Sequence, residues 1–359
     1  MRALVGASSV DSVVRVTGNF ASEGPLHPAA REALLAAFDQ GWADPKKISQ
    51  SASKAAILRN HALENIAVKL GVSPAALEVT GEPALGHYLS IAGLFNSQSS
   101  FAYSAVDKGK LRAIARAHHF PVHQLEVNES GSIVASESIP ENSVISLQLA
   151  NGETGVIQGR LIAPSHSRIV VDATSSGARV PLPDRWDTAL FDSLSWNGPS
   201  GLAIMAIKNR SEYLYPLPRI APISVPGSYS LPLLIASSIA LENFQVEDSS
   251  MRKSAMEEIS RLEGIQVVAR EATALPHIFS VVVTGAAGEA IVRELASRDI
   301  DVDSGSACSP EDLQPSHVLA AMGYETNGHL RFTLHAGTNE ADINSLVKAL
   351  KEVLHKLRG

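Results

Sequence analysis

Two short apolar runs, Val144-Ile-Ser-Leu-Gln-Leu149 and Ile169-Val-Val-Asp172, decide the class of fold predicted for this chain. Runs of this length and character are typical of strands buried on both faces of a sheet. Around them, helical and strand patterns alternate, with helices predicted over residues 28–38, 53–70, 85–94 and 110–118, and a consecutive strand pair over 190–195 and 202–207. The alternation predicts an α/β domain with a largely parallel sheet and helices on both faces.

The C-terminal third follows a different pattern. After a long helical region over 231–262, strands are predicted over 266–269, 278–283 and 330–334, with helices over 288–297 and 316–322. The last helix places its apolar residues on one face: Ile343, Leu346, Val347, Leu350, Val353, Leu354 and Leu357. The pattern predicts a large α/β domain over 15–235, and a smaller α+β domain formed by 236–359 with the N-terminal segment 1–14.

Bulk composition limits the classes of function. The 359 residues are 45% hydrophobic and 19% charged, which fits a globular protein. A formal net charge of −7 argues against nucleic-acid binding through a basic surface. The single cysteine rules out an intramolecular disulfide and suits a reducing compartment. Because neither a targeting segment nor an apolar run of membrane-spanning length is visible, we predict a cytoplasmic protein with no membrane or nucleic-acid partner.

Two residues are candidates for catalysis and for ligand binding. Cys308, in Ser304-Gly-Ser-Ala-Cys308-Ser, is either a nucleophilic or sulfur-carrying thiol on a mobile loop, or an inert or incidental thiol. Asp172 ends an apolar strand, where α/β sheets bind ligands, although a capping role is an open alternative.

Two further segments carry polar groups at predicted strand positions. Arg331 lies within a strand and is suited to gripping a carboxylate, with a cross-strand ion pair as the alternative. Asn151, in Asn151-Gly-Glu-Thr-Gly155, follows a strand, but Asn-Gly is also a common turn dipeptide. The sequence contains no metal-ligand spacing, P-loop or GxGxxG motif.

In this order along the chain, the segments resemble the cysteine desulfurases, within the class V aminotransferase group of pyridoxal-phosphate (PLP) enzymes. The Cys308 loop resembles the loop that carries the sulfur-accepting cysteine, and Arg331 matches the arginine that holds the substrate carboxylate. Asn151 begins a segment similar to the family's Asn-Asn-Glu-Xaa-Gly-Xaa-Xaa-Gln. Asp172 matches the residue that pairs with the pyridine nitrogen. The resemblance implies PLP-transferase fold type I, with a mostly parallel seven-stranded sheet, a smaller C-terminal domain and a homodimer.

Other positions depart from the family. The family's Ser-Xaa-His-Lys-Xaa-Xaa-Gly-Pro segment, whose lysine attaches PLP covalently, is replaced by Ser193-Leu-Ser-Trp-Asn-Gly-Pro199, and no lysine lies between residues 168 and 207. In the turn that binds the cofactor phosphate, Glu82 adds negative charge and Pro83 removes an N–H donor. The family's ring-stacking histidine corresponds to Lys108, and a cofactor-contacting glutamine to Ser175. These departures predict that the chain uses no cofactor.

Three functions remain open. The first is a pseudoenzyme that has lost PLP-dependent catalysis and has a binding, regulatory or sulfur-acceptor role, with a sulfur-transfer protein as a partner. The second is an active desulfurase or aminotransferase with a rearranged site, in which PLP binds non-covalently or through Lys108. The third is an enzyme of another class that binds a small molecule through Asp172, Arg331 and Cys308.

Overall fold

The computed structural model describes residues 17–40, 43–119, 121–134, 139–220, 223–225, 228–305 and 315–359. Cys308 lies outside the described residues, so the role of its loop stays a prediction. The strands are β1 (Asn19–Phe20), β2 (Leu77–Thr80), β3 (Ser100–Ser104), β4 (Val122–Leu125), β5 (Ser143–Gln148), β6 (Arg168–Asp172), β7 (Thr188–Asp192), β8 (Ala203–Ile207), β9 (Arg219–Ile220), β10 (Ile223–Ser224), β11 (Ile265–Val267), β12 (Ile278–Val283), β13 (Asp301–Val302) and β14 (His329–Thr333). The helices are α1 (Pro28–Gln40), α2 (Gln50–Leu70), α3 (Pro83–Ala92), α4 (Gly109–Ala117), α5 (Leu231–Asn243), α6 (Ser249–Ser260), α7 (Gly288–Ala296), α8 (His317–Ala321) and α9 (Glu340–Arg358).

The central sheet contains seven of the described strands in the order β2-β8-β7-β6-β5-β3-β4. The pairs from β7 to β4 are parallel, whereas β8 runs antiparallel to both β7 and β2. The predicted α/β class with a mostly parallel sheet is therefore confirmed. The predicted consecutive pair is β7 with β8, where Leu190 lies opposite Met205. Strand β7 ends earlier than predicted because residues 193–196 form a 3₁₀ turn.

Helices cover both faces of this sheet, and the alternation along β6 shows how. Ile169 and Val171 pack in the core formed with α1, α2 and α5, whereas Val170 packs in the core formed with α3 and α4. Successive side chains of a strand point to opposite faces, so an uninterrupted apolar run is required where both faces are buried. The carboxyl ends of the parallel strands remain uncovered by these helices and are the place where the candidate site lies.

The C-terminal part forms a second core. Strands β11, β12 and β14 make an antiparallel sheet covered by α6, α7 and α9, and Phe20 of β1 packs into the same core. The long helix predicted over 231–262 is in fact two helices, because the chain turns at residues 244–248 and Asp248 caps α6 by accepting from the Ser250 N–H. The predicted boundary at residue 235 falls inside α5, and the division into two domains stays a prediction. No helix among the described residues has the length and apolar character needed to cross a membrane.

Candidate functional site

A cavity of about 460 Å³ lies at the carboxyl ends of β3, β5, β6 and β7 and is bounded on the other side by β14. Ligands of open α/β sheets bind at this edge, and the volume is in the range of small-molecule sites. Four predicted site residues line the cavity: Lys108, Asn151, Ser175 and Arg331. Asp172 is connected to it through Thr174, which is part of the cavity wall.

Asp172 is the most strongly held carboxylate of this region, with an exposed fraction of only 2%. Its Oδ1 accepts from the Thr174 N–H at 2.9 Å and from the Thr174 hydroxyl, and its Oδ2 lies 3.2 Å from His87 Nε2. Burial opposes ionisation, but the Lys108 ammonium, His87 and Thr174 outweigh it and hold the pKa of Asp172 well below its usual range. Since a carboxylate offers about four acceptor positions, about one remains for a further donor.

His87 was not identified from the sequence. It lies in α3 with an exposed fraction of 3%, and its Nδ1 is 2.9 Å from the Pro83 carbonyl oxygen. Both of its partners, this carbonyl and the Asp172 carboxylate, accept hydrogen bonds, so each ring nitrogen of His87 faces an acceptor. The signal in the sequence was a single histidine within the otherwise apolar segment predicted as a helix over 85–94.

Lys108 caps the N-terminus of α4, and its ammonium donates to the Thr174 hydroxyl oxygen. Lys108 therefore lines the cavity, and Thr174 connects its amine to Asp172, because the Thr174 hydroxyl in turn donates to Asp172 Oδ1. Gly152 permits the close packing here, because a Cβ at this position would lie 2.8 Å from Ser175 Oγ and 3.8 Å from Lys108 Cε. Lys108 and Ser175 are therefore neighbours across the same part of the cavity.

Asn151 shapes the loop after β5, and its polar atoms are already bonded. Its Oδ1 accepts from the N–H groups of Glu153 and Thr154 at 2.9 and 3.0 Å. Its Nδ2 donates to the Val106 carbonyl and to Gln148 Oε1, each at 3.0 Å. The turn interpretation of Asn-Gly therefore describes what Asn151 does in the structure, although the residue also lines the cavity.

Arg331 combines both roles considered for it. Its Nη2 lies 3.1 Å from Asp303 Oδ2, which is the ion pair expected for a charge on a strand. Its Nε is buried and has no hydrogen-bond partner among the described residues. Nearby in the cavity wall, His277 is also buried with its Nδ1 unpartnered in the part of the chain that the structure describes. Burial, followed by the charge of Arg179, lowers the pKa of His277 well below its usual value, so this ring is neutral.

The turn between β7 and β8 presents a hydroxyl and not an amine to the cavity. Ser195 lines the cavity, and its Oγ donates to the Asp192 carbonyl at 2.6 Å. Trp196 turns the other way into the core with no exposed surface, and its indole N–H donates to the Ser237 carbonyl at 3.2 Å. Packing of this large ring fixes the path of the turn.

The N-terminus of α3 holds a carboxylate of the chain itself. Glu82 Oε2 accepts from the Leu85 N–H at 2.6 Å, and Glu82 Oε1 lies 3.7 Å from Lys110 Nζ. Partial burial opposes the charge, but the N–H groups of Ala84 and Leu85 and the Lys110 ammonium hold the pKa of Glu82 below its usual value. Among the described residues, His, Cys, Asp and Glu form no group of three that could hold a metal ion.

The fold and the cavity define an α/β protein of the PLP-transferase type, with a ligand site at the sheet edge. The family model described as Aminotransferase class-V matches residues 223–346. The cysteine desulfurase of Nostoc sp. is 26% identical over 67% of this chain and 66% of that protein. Cysteine desulfurase IscS 1 of Archaeoglobus fulgidus is 24% identical over 95% of this chain and 97% of that protein. The NifS-like protein of Rickettsia africae, 17% identical, covers 95% of this chain and 100% of its own with a TM-score of 0.82. With the fold, these matches show that the chain is similar to the cysteine desulfurases of the class V aminotransferase family.

The prediction that the chain uses no cofactor is wrong, because its relatives are cysteine desulfurases, which are PLP-dependent. That prediction rested on the missing lysine and the altered phosphate turn. It gave too little weight to the group that would face the pyridine ring, Asp172 with His87 and Thr174, which we call the ring end of the site. A buried, ionised Asp172 with an acceptor position left fits a protonated pyridine nitrogen, and the Lys108 amine lies beside it. The residues present therefore fit the ring of the cofactor, whereas Glu82 occupies the helix N-terminus nearby.

Proposed function

We propose that this desulfurase-like protein binds a pyridoxal-type cofactor in the cavity but has lost the sulfur-releasing turnover of its relatives, leaving a binding or regulatory role. The observation that carries the proposal is the β7–β8 turn, where Ser195 faces the cavity and the Trp196 ring is fixed in the core. A hydroxyl cannot replace an amine in holding an aldehyde cofactor covalently or in transferring protons during turnover.

The residues of the ring end have distinct roles in holding such a cofactor. Asp172 would accept a hydrogen bond from the ring nitrogen, while His87 and Thr174 fix the orientation of its carboxylate. A pyridoxal-type cofactor supplies an electron sink for carbanions when it is bound. The Nε–H of Arg331, unpartnered among the described residues, would bind the carboxylate of an amino acid, and its burial without a partner supports this role.

Two assays on the purified full chain test the proposal. Titration with PLP followed by absorbance and thermal shift should show saturable binding that dialysis reverses, and Asp172→Asn should weaken this binding by about tenfold or more. Incubation of the loaded protein with cysteine should release no sulfide. Sulfide release at a rate proportional to protein concentration would overturn the loss of turnover, and absence of any binding would overturn the cofactor assignment.

A second candidate function is favoured by one observation, the position of the Lys108 amine in the cavity wall beside Thr174. Here Lys108 would hold the cofactor covalently and the protein would be an active enzyme with a rearranged site. Borohydride trapping followed by peptide mapping should then label Lys108, and Lys108→Ala should abolish both label and sulfide release. Lys348→Ala, which removes an exposed lysine of α9, is the matched control.

The assembly and location of the protein also stay proposals. We infer a homodimer, supported by apolar side chains left exposed on α1 and α2: Leu35, Phe38 and Ile57. Light scattering on the purified chain should give twice the monomer mass. A sulfur-transfer protein as partner, with Cys308 as acceptor, and a cytoplasmic location follow from the resemblance and from the sequence.

A further inference from the structure

The N-terminus of α3 and the Asp172 carboxylate belong to one structural unit. His87 of α3 contacts Asp172 directly at 3.2 Å, so this helix is fixed relative to the ring end of the site. Glu82 precedes His87 by five residues, which corresponds to about 7–8 Å along a helix. A helix N-terminus at this distance from the ring partner would be a natural place for a phosphate, since helix N-termini bind anions.

The donors at this place are already bonded to acceptors of the chain itself. The Leu85 N–H donates to Glu82 Oε2 at 2.6 Å, and Pro83 has no N–H to offer. On the facing β7–β8 turn, the Leu194 N–H donates to Asp192 Oδ1 at 3.0 Å, and the Ser195 hydroxyl donates to the Asp192 carbonyl. A phosphate entering here would therefore have to displace acceptors at every one of these donors.

The charges at this place oppose a phosphate as well. Glu82, which lines a second cavity beside β2, carries a carboxylate at the helix N-terminus, and Asp192, which lines the cavity of the site, carries another at the end of β7. Two cations lie nearby and both have partners: Lys110 Nζ is 3.7 Å from Glu82 Oε1, and the Lys108 ammonium of the cavity wall donates to the Thr174 hydroxyl. Like charges at short range disfavour a dianion, whereas a neutral hydroxymethyl group meets no such repulsion.

From these contacts we propose that the cavity prefers a pyridine cofactor without a phosphate, of the pyridoxal or pyridoxamine kind, over its phosphate ester, with Glu82 occupying the anion position. This inference rests on the proposed function and specifies the ligand class of the same site. Asp172, held by His87, would bind the ring nitrogen, whereas the carboxylates of Glu82 and Asp192 would repel a phosphate group.

Pyridoxamine and pyridoxamine phosphate are suitable probes because neither reacts with surface lysines. Calorimetric titration of the full wild-type chain should give at least about tenfold tighter binding of pyridoxamine. Glu82→Ser removes the carboxylate while the serine hydroxyl keeps the capping role, and this change should shift the preference toward the phosphate ester by about tenfold. Glu289→Ser, an acidic first-turn residue of α7 paired with Arg293, changes the net charge equally and should leave the preference unchanged.

The outcomes separate this inference from the proposed function. Tighter binding of the phosphate ester by the wild-type chain would overturn the preference and leave the cofactor site standing. Binding of neither probe would overturn both. An equal preference in wild type and Glu82→Ser would overturn the role of Glu82. If Glu82→Ser does not fold, Glu82→Gln removes the charge at the same side-chain length and should shift the preference in the same direction.

Discussion

Replacing Asp107 by asparagine should make the folded protein more stable at alkaline pH. Asp107 is completely buried in the loop after β3, and its Oδ2 accepts from the Ser104 N–H at 3.0 Å. Its Oδ1 has no hydrogen-bond partner among the described residues. Asparagine has nearly the same shape, keeps an oxygen for the Ser104 N–H and carries no charge. Because its amide also puts an NH2 donor at the Oδ1 position, the change of stability with pH, and not the stability at one pH, isolates the ionisation.

The size of the effect follows from the pKa of Asp107. Burial, with a further contribution from the Asp172 carboxylate, raises this pKa from its ordinary value of 3.8 to about 7. Between these values the unfolded chain loses the proton and the folded chain keeps it, so rising pH favours unfolding. A difference of about three units corresponds to about 4 kcal/mol of stability, fully present below the lower pKa and lost by about pH 7. Asp107→Asn should retain this amount at pH 8.

Urea unfolding at pH 5 and pH 8 measures the effect. Between pH 5 and pH 8 the free energy of unfolding should fall by about 3 kcal/mol more in the wild type than in Asp107→Asn, since only the wild type carries the Asp107 carboxyl group that ionises. Asp172→Asn offers an internal check, because loss of the neighbouring negative charge should lower the pKa of Asp107 and reduce the wild-type slope. An identical pH dependence in wild type and Asp107→Asn would refute the reasoning.

Three further substitutions test the contacts of the site. His87→Phe leaves the buried Asp172 charge with one donor fewer and should cost about 3–5 kcal/mol in urea unfolding, much of it recovered in the double variant with Asp172→Asn. Arg331→Met should weaken binding of L-cysteine by about tenfold in thermal-shift titrations, and Arg331→Lys should restore only part of it, because an ammonium lacks the planar fork. Lys108→Met removes the ammonium that neighbours Asp172, and we expect about tenfold tighter binding of a pyridinium ligand, measured by calorimetry, if Lys108 competes with it.

The sequence predicted the parts of the fold that depend on local patterns. Continuous apolar runs such as that ending at Asp172 located the central strands, because burial on both faces leaves no other pattern. The break between α5 and α6 was missed, since apolar spacing continued through residues 244–248 and the Asp248 cap was not recognised. His87 was missed for a different reason. Its partner Asp172 is 85 residues away, and the local signal, a single histidine in an apolar segment, does not reveal a contact at that separation.

The charges around Asp172 make the position of Lys108 the feature that distinguishes the two proposed functions. His87 and the Lys108 ammonium stabilise the Asp172 carboxylate, while burial raises the pKa of the neighbouring Asp107 to about 7. A protonated ring nitrogen at Asp172 would bring a positive charge close to the Lys108 ammonium, and the repulsion between the two would favour movement of the Lys108 side chain. If the side chain moves away, the cofactor is held without a covalent bond and Lys108 only competes for the carboxylate. If the side chain stays beside the bound ring, the Lys108 amine shares the cavity with the aldehyde of the cofactor, as the second candidate function requires.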